Sequence, residues 1–297
     1  MSKTISMHAL DRACRFVETA ARPLDRAYLE YALAGPKDQA FARAIRELAK
    51  FQTSDGGFAH GLEPDIRGPA PSAIATSVAF QYLRAIEAPA STPIVRAAIE
   101  YLVRTIDRDA WVWPAIDERV KEGPHAPWWT PNLERFRGYV FNPSAELLGY
   151  LYDYRAFVPA DVLVGVTSKV LQAIESIEVI GSVYDLYCCM RLAHTETLPA
   201  HIRSVLEELL PASLSAVDPD DAHVDLMRLV PTPLSLGYDI VRTGIGRQAE
   251  RMVSSQAADG GWHPRWEAWH AEAHREWSGE ITSHAIVSLY AHHLVAG

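Results

Sequence analysis

Eight consecutive residues, His60-Gly61-Leu62-Glu63-Pro64-Asp65-Ile66-Arg67, place an imidazole, two carboxylates and a guanidinium in a stretch punctuated by Gly and Pro. On a loop, His60, Glu63, Asp65 and Arg67 could move protons or grip a polar ligand. They could equally staple the loop to itself, with Glu63 and Asp65 paired to Arg67 or capping a helix over 73–87. A second run, Asp218-Pro219-Asp220-Asp221, sets three carboxylates so that Asp218 and Asp221 could hold a proton on Asp220. The same letters also read as a helix start, with Asp218 as cap, Pro219 in the first helical position and acids in the first turn. Trp111, Trp113, Trp128 and Trp129 crowd one long connection, and Trp277 stands near the end of the chain. Their faces could stabilise a cation or stack on a sugar ring, or they could plug the loop against its own scaffold. His270 and His274 have the i, i+4 spacing of a metal pair without a flanking signature, and read as a surface pair. Asn142, ahead of Pro143, reads as a helix cap, and Cys188 and Cys189 as inert core residues.

The elements that must position these groups are helices. Apolar residues recur at helical spacing, as in Leu10, Cys14 and Val17, in Ala79, Leu83 and Ile86, and in Leu147, Leu148 and Leu151. Strand-like alternation is scarce, and Pro and Gly break the chain into roughly 11 to 13 helices. The connections 53–72 and 108–142, and the segment 259–279, are long and rich in Gly, Pro, His and Trp, the kind of insert that carries function.

Two of those segments repeat one another. Gln52-Thr53-Ser54-Asp55-Gly56-Gly57-Phe58 returns as Gln256-Ala257-Ala258-Asp259-Gly260-Gly261-Trp262, and Thr76, Ala79 and Leu83 keep the mutual offsets of Thr282, Ala285 and Leu289. A degraded copy is expected between them, with Asp109-Ala110-Trp111 followed by Ala145 and Leu148. The Gln amide can bond orphan backbone groups at a helix end. Asp-Gly-Gly makes a tight turn, because glycine tolerates positive φ. The aromatic residue anchors that turn, and Thr, Ala and Leu stripe the next helix.

This pattern resembles the QW-type repeat of squalene and hopene cyclases and of protein prenyltransferase β subunits. The resemblance implies a single all-α domain over 1–297, an (α/α)6 toroid in which a double ring of helices surrounds a central cavity. The closer resemblance is to small single-barrel bacterial proteins that carry Asp-Gly-Gly-Phe-x-His-Gly-Leu-Glu-Pro-Asp, here Asp55 to Asp65. Class II cyclases of that superfamily protonate an alkene with the middle Asp of Asp-x-Asp-Asp, a role that would fall on Asp220, with the tryptophans as cavity walls. The prenyltransferase zinc set is not kept. Asp259 matches, but Gly261 stands at the Cys position and Ile281 at the His position, so no metal and no cofactor is implied.

Lys+Arg total 28 against 37 Asp+Glu, a formal charge of −9 spread along the chain, which argues against nucleic acid as a partner. Three cysteines without a CxxC support neither a disulfide framework nor a cysteine zinc site. Met1 to Leu10 lacks the apolar run of a signal peptide, and no stretch approaches the ~20 apolar residues of a membrane span. The expectation is a soluble cytoplasmic toroid that takes a small-molecule ligand. An isoprenoid cyclase or isoprenoid-binding protein comes first, a carbohydrate-active α/α barrel second, and a non-catalytic interaction barrel third.

Overall fold

The computed structural model describes residues 4–35, 37–116, 118–130 and 141–296, so residues 117 and 131–140 of the long connection 108–142 lie outside the described residues. Among the described residues the protein is all-helical, with isolated β-bridges and no strand. The α-helices are α1 (Met7–Ala20), α2 (Pro23–Ala34), α3 (Asp38–Ala49), α4 (Ala73–Ala85), α5 (Pro93–Thr105), α6 (Ser144–Asp153), α7 (Ala160–Glu175), α8 (Val183–Ala193), α9 (Ala200–Ser215), α10 (Leu226–Leu229), α11 (Tyr238–Ser255) and α12 (Ala271–Ala291). None of them is long and apolar enough to cross a membrane.

The chain divides into two compact units. One joins Met1–Leu48 to Val217–Gly297, and the other is Ala49–Ala216. In the first, α12 packs on α1 and α2, and α10 on α11. In the second, α6 packs on α8, α7 and α4, and α9 on α7 and α8. Every residue of α6 from Ser144 to Tyr152 is buried. A helix buried on all sides must find partners inside the protein for each polar group it carries.

Each unit holds one copy of the repeat, and the two copies form the same corner. In the second unit, Gln52 Nε2 donates to Gly56 O at 3.0 Å and to Ile94 O, near the start of α5, at 3.0 Å. In the first, Gln256 Nε2 donates to Gly260 O at 2.9 Å and to Ala9 O, near the start of α1, at 2.8 Å. Asp55 accepts the Gly57 N–H and Asp259 the Gly261 N–H. The Phe58 and Trp262 N–H groups donate to Thr76 Oγ1 and Thr282 Oγ1, at 3.3 and 2.9 Å. Thr therefore joins the turn to the following helix, beyond its place in the apolar stripe. Gly56 and Gly260 have φ of 91° and 96°, which explains the glycine at that step in these two copies.

A third corner exists, in a different register from the expected one. Its anchor is Trp113, fully buried, whose N–H donates to Ser144 Oγ at 3.1 Å and whose indole N–H donates to Leu102 O at 2.8 Å. The Trp262 indole makes the matching bond to Met252 O at 3.0 Å. The turn before Trp113 runs from Asp107, which accepts the Asp109 and Ala110 N–H groups, to Trp111 at φ 56°. Trp111 thus occupies the glycine step, and Ser144 replaces the Thr. Trp113→Phe and Trp262→Phe should each cost about 1–2 kcal/mol, because each removes a buried indole hydrogen bond to a helix-end carbonyl, although Leu102 O keeps the Ile106 N–H. Urea denaturation midpoints that do not move would remove the indole bond from this account.

Candidate functional site

The loop after the first corner closes tightly on itself. His60 and Gly61 both adopt positive φ, Gly61 N–H donates to Ile66 O at 3.0 Å, and Ile66 N–H donates to Glu63 O at 2.9 Å. A second stretch fastens it from outside: Ala126 N–H donates to Asp65 O at 2.8 Å and Arg67 N–H to Pro124 O at 2.9 Å. The two backbones cross at Gly68 and Gly123, where a Cβ on Gly123 would stand 2.3 Å from the Gly68 Cα. Ile66, Ile116 and Val120 form the apolar floor, with Ile74 and Trp129 packed against it.

This fold of the loop buries Glu63 and Asp65 and leaves His60 exposed, with Arg67 half-buried. Glu63 Oε2 accepts the Asp65 N–H at 2.7 Å, and the carboxylate also meets the Ile66 N–H and the Trp129 side chain. Burial, followed by the adjacent Asp65 charge, drives the Glu63 pKa well above the usual carboxylate range. The hydrogen bonds from the backbone oppose that shift without cancelling it. Glu63 is therefore biased toward its neutral, proton-carrying form next to a second carboxylate and an indole. Such a group can donate a proton to a substrate oxygen and, in its ionised form, receive one.

The other predicted residues are dispersed. Asp218, Asp220 and Asp221 lie in an exposed turn, and neither the acid motif nor the helix start is formed there. Asp218 accepts the Asp220 N–H and Asp221 the His223 N–H. Asp220 itself pairs with Arg251 at 2.5 Å, its side chain 65% exposed. Trp113 is a corner anchor, and Trp111 lies across Gly165 of α7, where a Cβ would sit 2.3 Å from the ring. Trp128 is exposed, and Trp277 packs edge-on against Trp266 at 5.7 Å. Asn142 caps nothing, the N-cap of α6 being Pro143. His270 caps α12, accepting the Glu272 N–H, while His274 stacks on His263 at 5.5 Å. Cys188 and Cys189 are buried, and burial pushes both thiols up.

Sequence reasoning missed two buried charge groups. On α6, Glu146 accepts from Tyr150 at 2.6 Å, from Arg191 of α8 at 2.9 Å and from Cys188 at 3.6 Å. Arg84 of α4 lies 4.3 Å over the Tyr150 ring and bonds Asp153 at 2.7 Å. In the first unit, Arg228 holds Glu280 through two bonds of 2.9 and 2.8 Å, His284 stands 3.6 Å from the same carboxylate, and its ring stacks on Tyr28 at 4.6 Å. The available signal was a Glu at 146 inside a largely apolar helix, since an unpaired carboxylate does not stay in a core; Glu280 shares its helix with Glu272, Arg275 and Glu276 and carried no such signal.

No family model matches this chain, and no curated protein matches it. Among solved structures, the crystal structure of a protein from Actinoplanes superposes with a TM-score of 0.53 over 96% of this chain and 98% of that one, at 12% identity. What the two share is the fold. The likeness runs nearly end to end in both chains, so both units belong to the shared architecture.

Proposed function

We propose that this chain is an acid–base enzyme of the α/α-toroid type acting on a polar, saccharide-like small molecule, with Glu63 as proton donor, Asp65 as second carboxylate and Trp129 as the aromatic neighbour. The observation that carries the reading is the buried Glu63 carboxyl beside another acid, where burial first and then the Asp65 charge raise its pKa. Glycosidic oxygens are basic enough to be protonated by a carboxylic acid whose pKa is raised toward neutrality, which keeps the proton in place until it is needed. An alkene asks for the opposite, a strong acid in an apolar chamber. Asp220, the one donor that the isoprenoid reading names, is exposed and ion-paired with Arg251, which favours the saccharide reading.

The test is a panel of oligosaccharides assayed by glycan array and by reducing-end release. Glu63→Gln keeps the shape and hydrogen-bond capacity of the side chain but has no proton to give. It should lower turnover by about 10²-fold or more while its melting temperature stays close to that of the parent. Recognition of no saccharide, together with a prenyl compound found by mass spectrometry of the purified protein, would return the site to the isoprenoid reading.

A further inference from the structure

Glu63 and Asp65 are only 6% and 5% exposed, so a substrate reaches neither carboxyl until a covering segment moves. Two segments enclose them, the loop 59–68 that carries them and the stretch 118–129 laid across it. The loop is the fixed half. Its main chain closes on itself, with His60 N–H donating to Gly68 O, Leu62 N–H to Ala59 O, Gly61 N–H to Ile66 O and Ile66 N–H to Glu63 O. Leu62 and Ile66 anchor it in the interior, and the Ala59 N–H ties it to Phe51 O beside the Gln52 corner.

The stretch 118–129 is built differently. It holds two short 3-10 turns, Glu118–Glu122 and Pro127–Trp129, and no α-helix. Its internal bonds are local, from Gly123 N–H to Val120 O, from Trp129 N–H to Ala126 O and from His125 Nδ1 to Gly123 O. Among the described residues, two main-chain bonds fasten it to the loop, Arg67 N–H to Pro124 O and Ala126 N–H to Asp65 O. Val120 and Trp129 pack into the cluster around Ile66, while Glu118, Lys121, Glu122, Pro127 and Trp128 are exposed. A segment with local bonds, an exposed outer face and few apolar anchors opens more readily than the helices around it. Water replaces each main-chain bond that it gives up.

We infer that 118–129 is the access cover of the Glu63 carboxyl, lifting off while loop 59–68 and the Gln52 corner stay in place. The inference rests on the acid–base reading for what the opening serves: closing over a bound substrate shuts water out of the proton transfer. Its test reads opening without turnover. In Glu63→Cys, alkylation by iodoacetamide is followed peptide by peptide in mass spectrometry. The native thiol of Cys189, buried in α8 of the same unit, is the reference for unfolding of that unit. Position 63 should react about tenfold faster than Cys189 or more. Ile66 and His125 form a non-hydrogen-bonded antiparallel pair, whose Cα atoms stand about 4.5 Å apart, within the span of a disulfide. Adding Ile66→Cys and His125→Cys should therefore clamp the cover when oxidised, slowing position 63 to the Cys189 rate, and free it when reduced. In the parent protein, the Arg67 and Ala126 amides should exchange hydrogen about tenfold faster than Leu148 of α6 or more, a measurement that stands even if Glu63→Cys does not fold. Equal rates at position 63 and Cys189, an oxidised clamp that labels as fast as the reduced one, or Arg67 and Ala126 exchanging no faster than Leu148 would each overturn the cover. Unchanged turnover in Glu63→Gln would sink the acid–base reading alone and leave these rates as they are.

Discussion

Gly260→Ala is expected to destabilise the protein by about 3 kcal/mol or more, and Gly56→Ala by at least as much. Both glycines hold positive φ, where a Cβ costs about 1–2 kcal/mol in any context. At these two positions the Cβ would also meet a backbone carbonyl, Arg12 O at 2.5 Å and Ala97 O at 2.3 Å. A backbone atom inside a helix cannot swing aside as a side-chain tip can, so the corner must lift off α1 or α5. Lifting it breaks the Gln256 bond to Ala9 or the Gln52 bond to Ile94. Two controls separate the contributions. Gly35 has φ of 74° and ψ of 179° but open space around its Cβ position, so Gly35→Ala should carry the backbone strain alone, about 1–3 kcal/mol. Gly181 has neither constraint, and alanine there should be close to neutral. If chemical denaturation ranks Gly260→Ala with Gly181→Ala, the corners do not brace the fold.

Glu280→Ala should cost about 3–5 kcal/mol, since it strips Arg228 of a two-bond partner inside the protein. The same carboxylate makes the fold acid-labile. Burial alone would raise its pKa, but Arg228 first and then His284 pull it down to about 2. A carboxylate whose folded pKa lies below its unfolded value of about 4.3 stabilises the fold above that value. The stabilisation, on the order of 3 kcal/mol at neutral pH, is lost as pH falls from about 5 toward 2. His194 adds a loss that begins earlier. Burial, followed by Arg84, Arg191 and Arg203, lowers its pKa to about 4, so the fold favours its neutral form and weakens as pH drops below about 6.5. Glu280→Gln, which cannot titrate, should flatten the stability profile between about pH 5 and 2 while leaving the His194 portion in place. An acid limb of unchanged steepness in that variant would mean that Glu280 is not its source.

The separation of what was legible from what was not follows the range of the forces involved. Helical class and the two corners were written locally. Apolar periodicity marks one face of a helix wherever that helix ends up, and Gln-x-x-Asp-Gly-Gly-aromatic describes a turn whose main bonds close within a few residues. The third corner was placed two residues off, because Trp111 stands where a glycine is usual and Ser144 substitutes for Thr, which removes the letters while keeping the bonds.

The site chemistry was not local. Asp-x-Asp-Asp and His-Gly-Leu-Glu-Pro-Asp looked equally rich in carboxylates, yet one became a solvated turn tied to Arg251 and the other a buried acid under Trp129. Desolvation separates them, and it sums over every chain segment that shuts out water, here 118–129 folding over 59–68. Glu146 with Arg191, and Glu280 with Arg228, join residues dozens of positions apart. The sequence by itself determined which segments coil and where they turn, because backbone torsions and near-neighbour hydrogen bonds act within a few residues. Which charges lost their water, and which partner each then found, only the tertiary structure decided, because solvation and pairing depend on whatever the rest of the chain brings alongside.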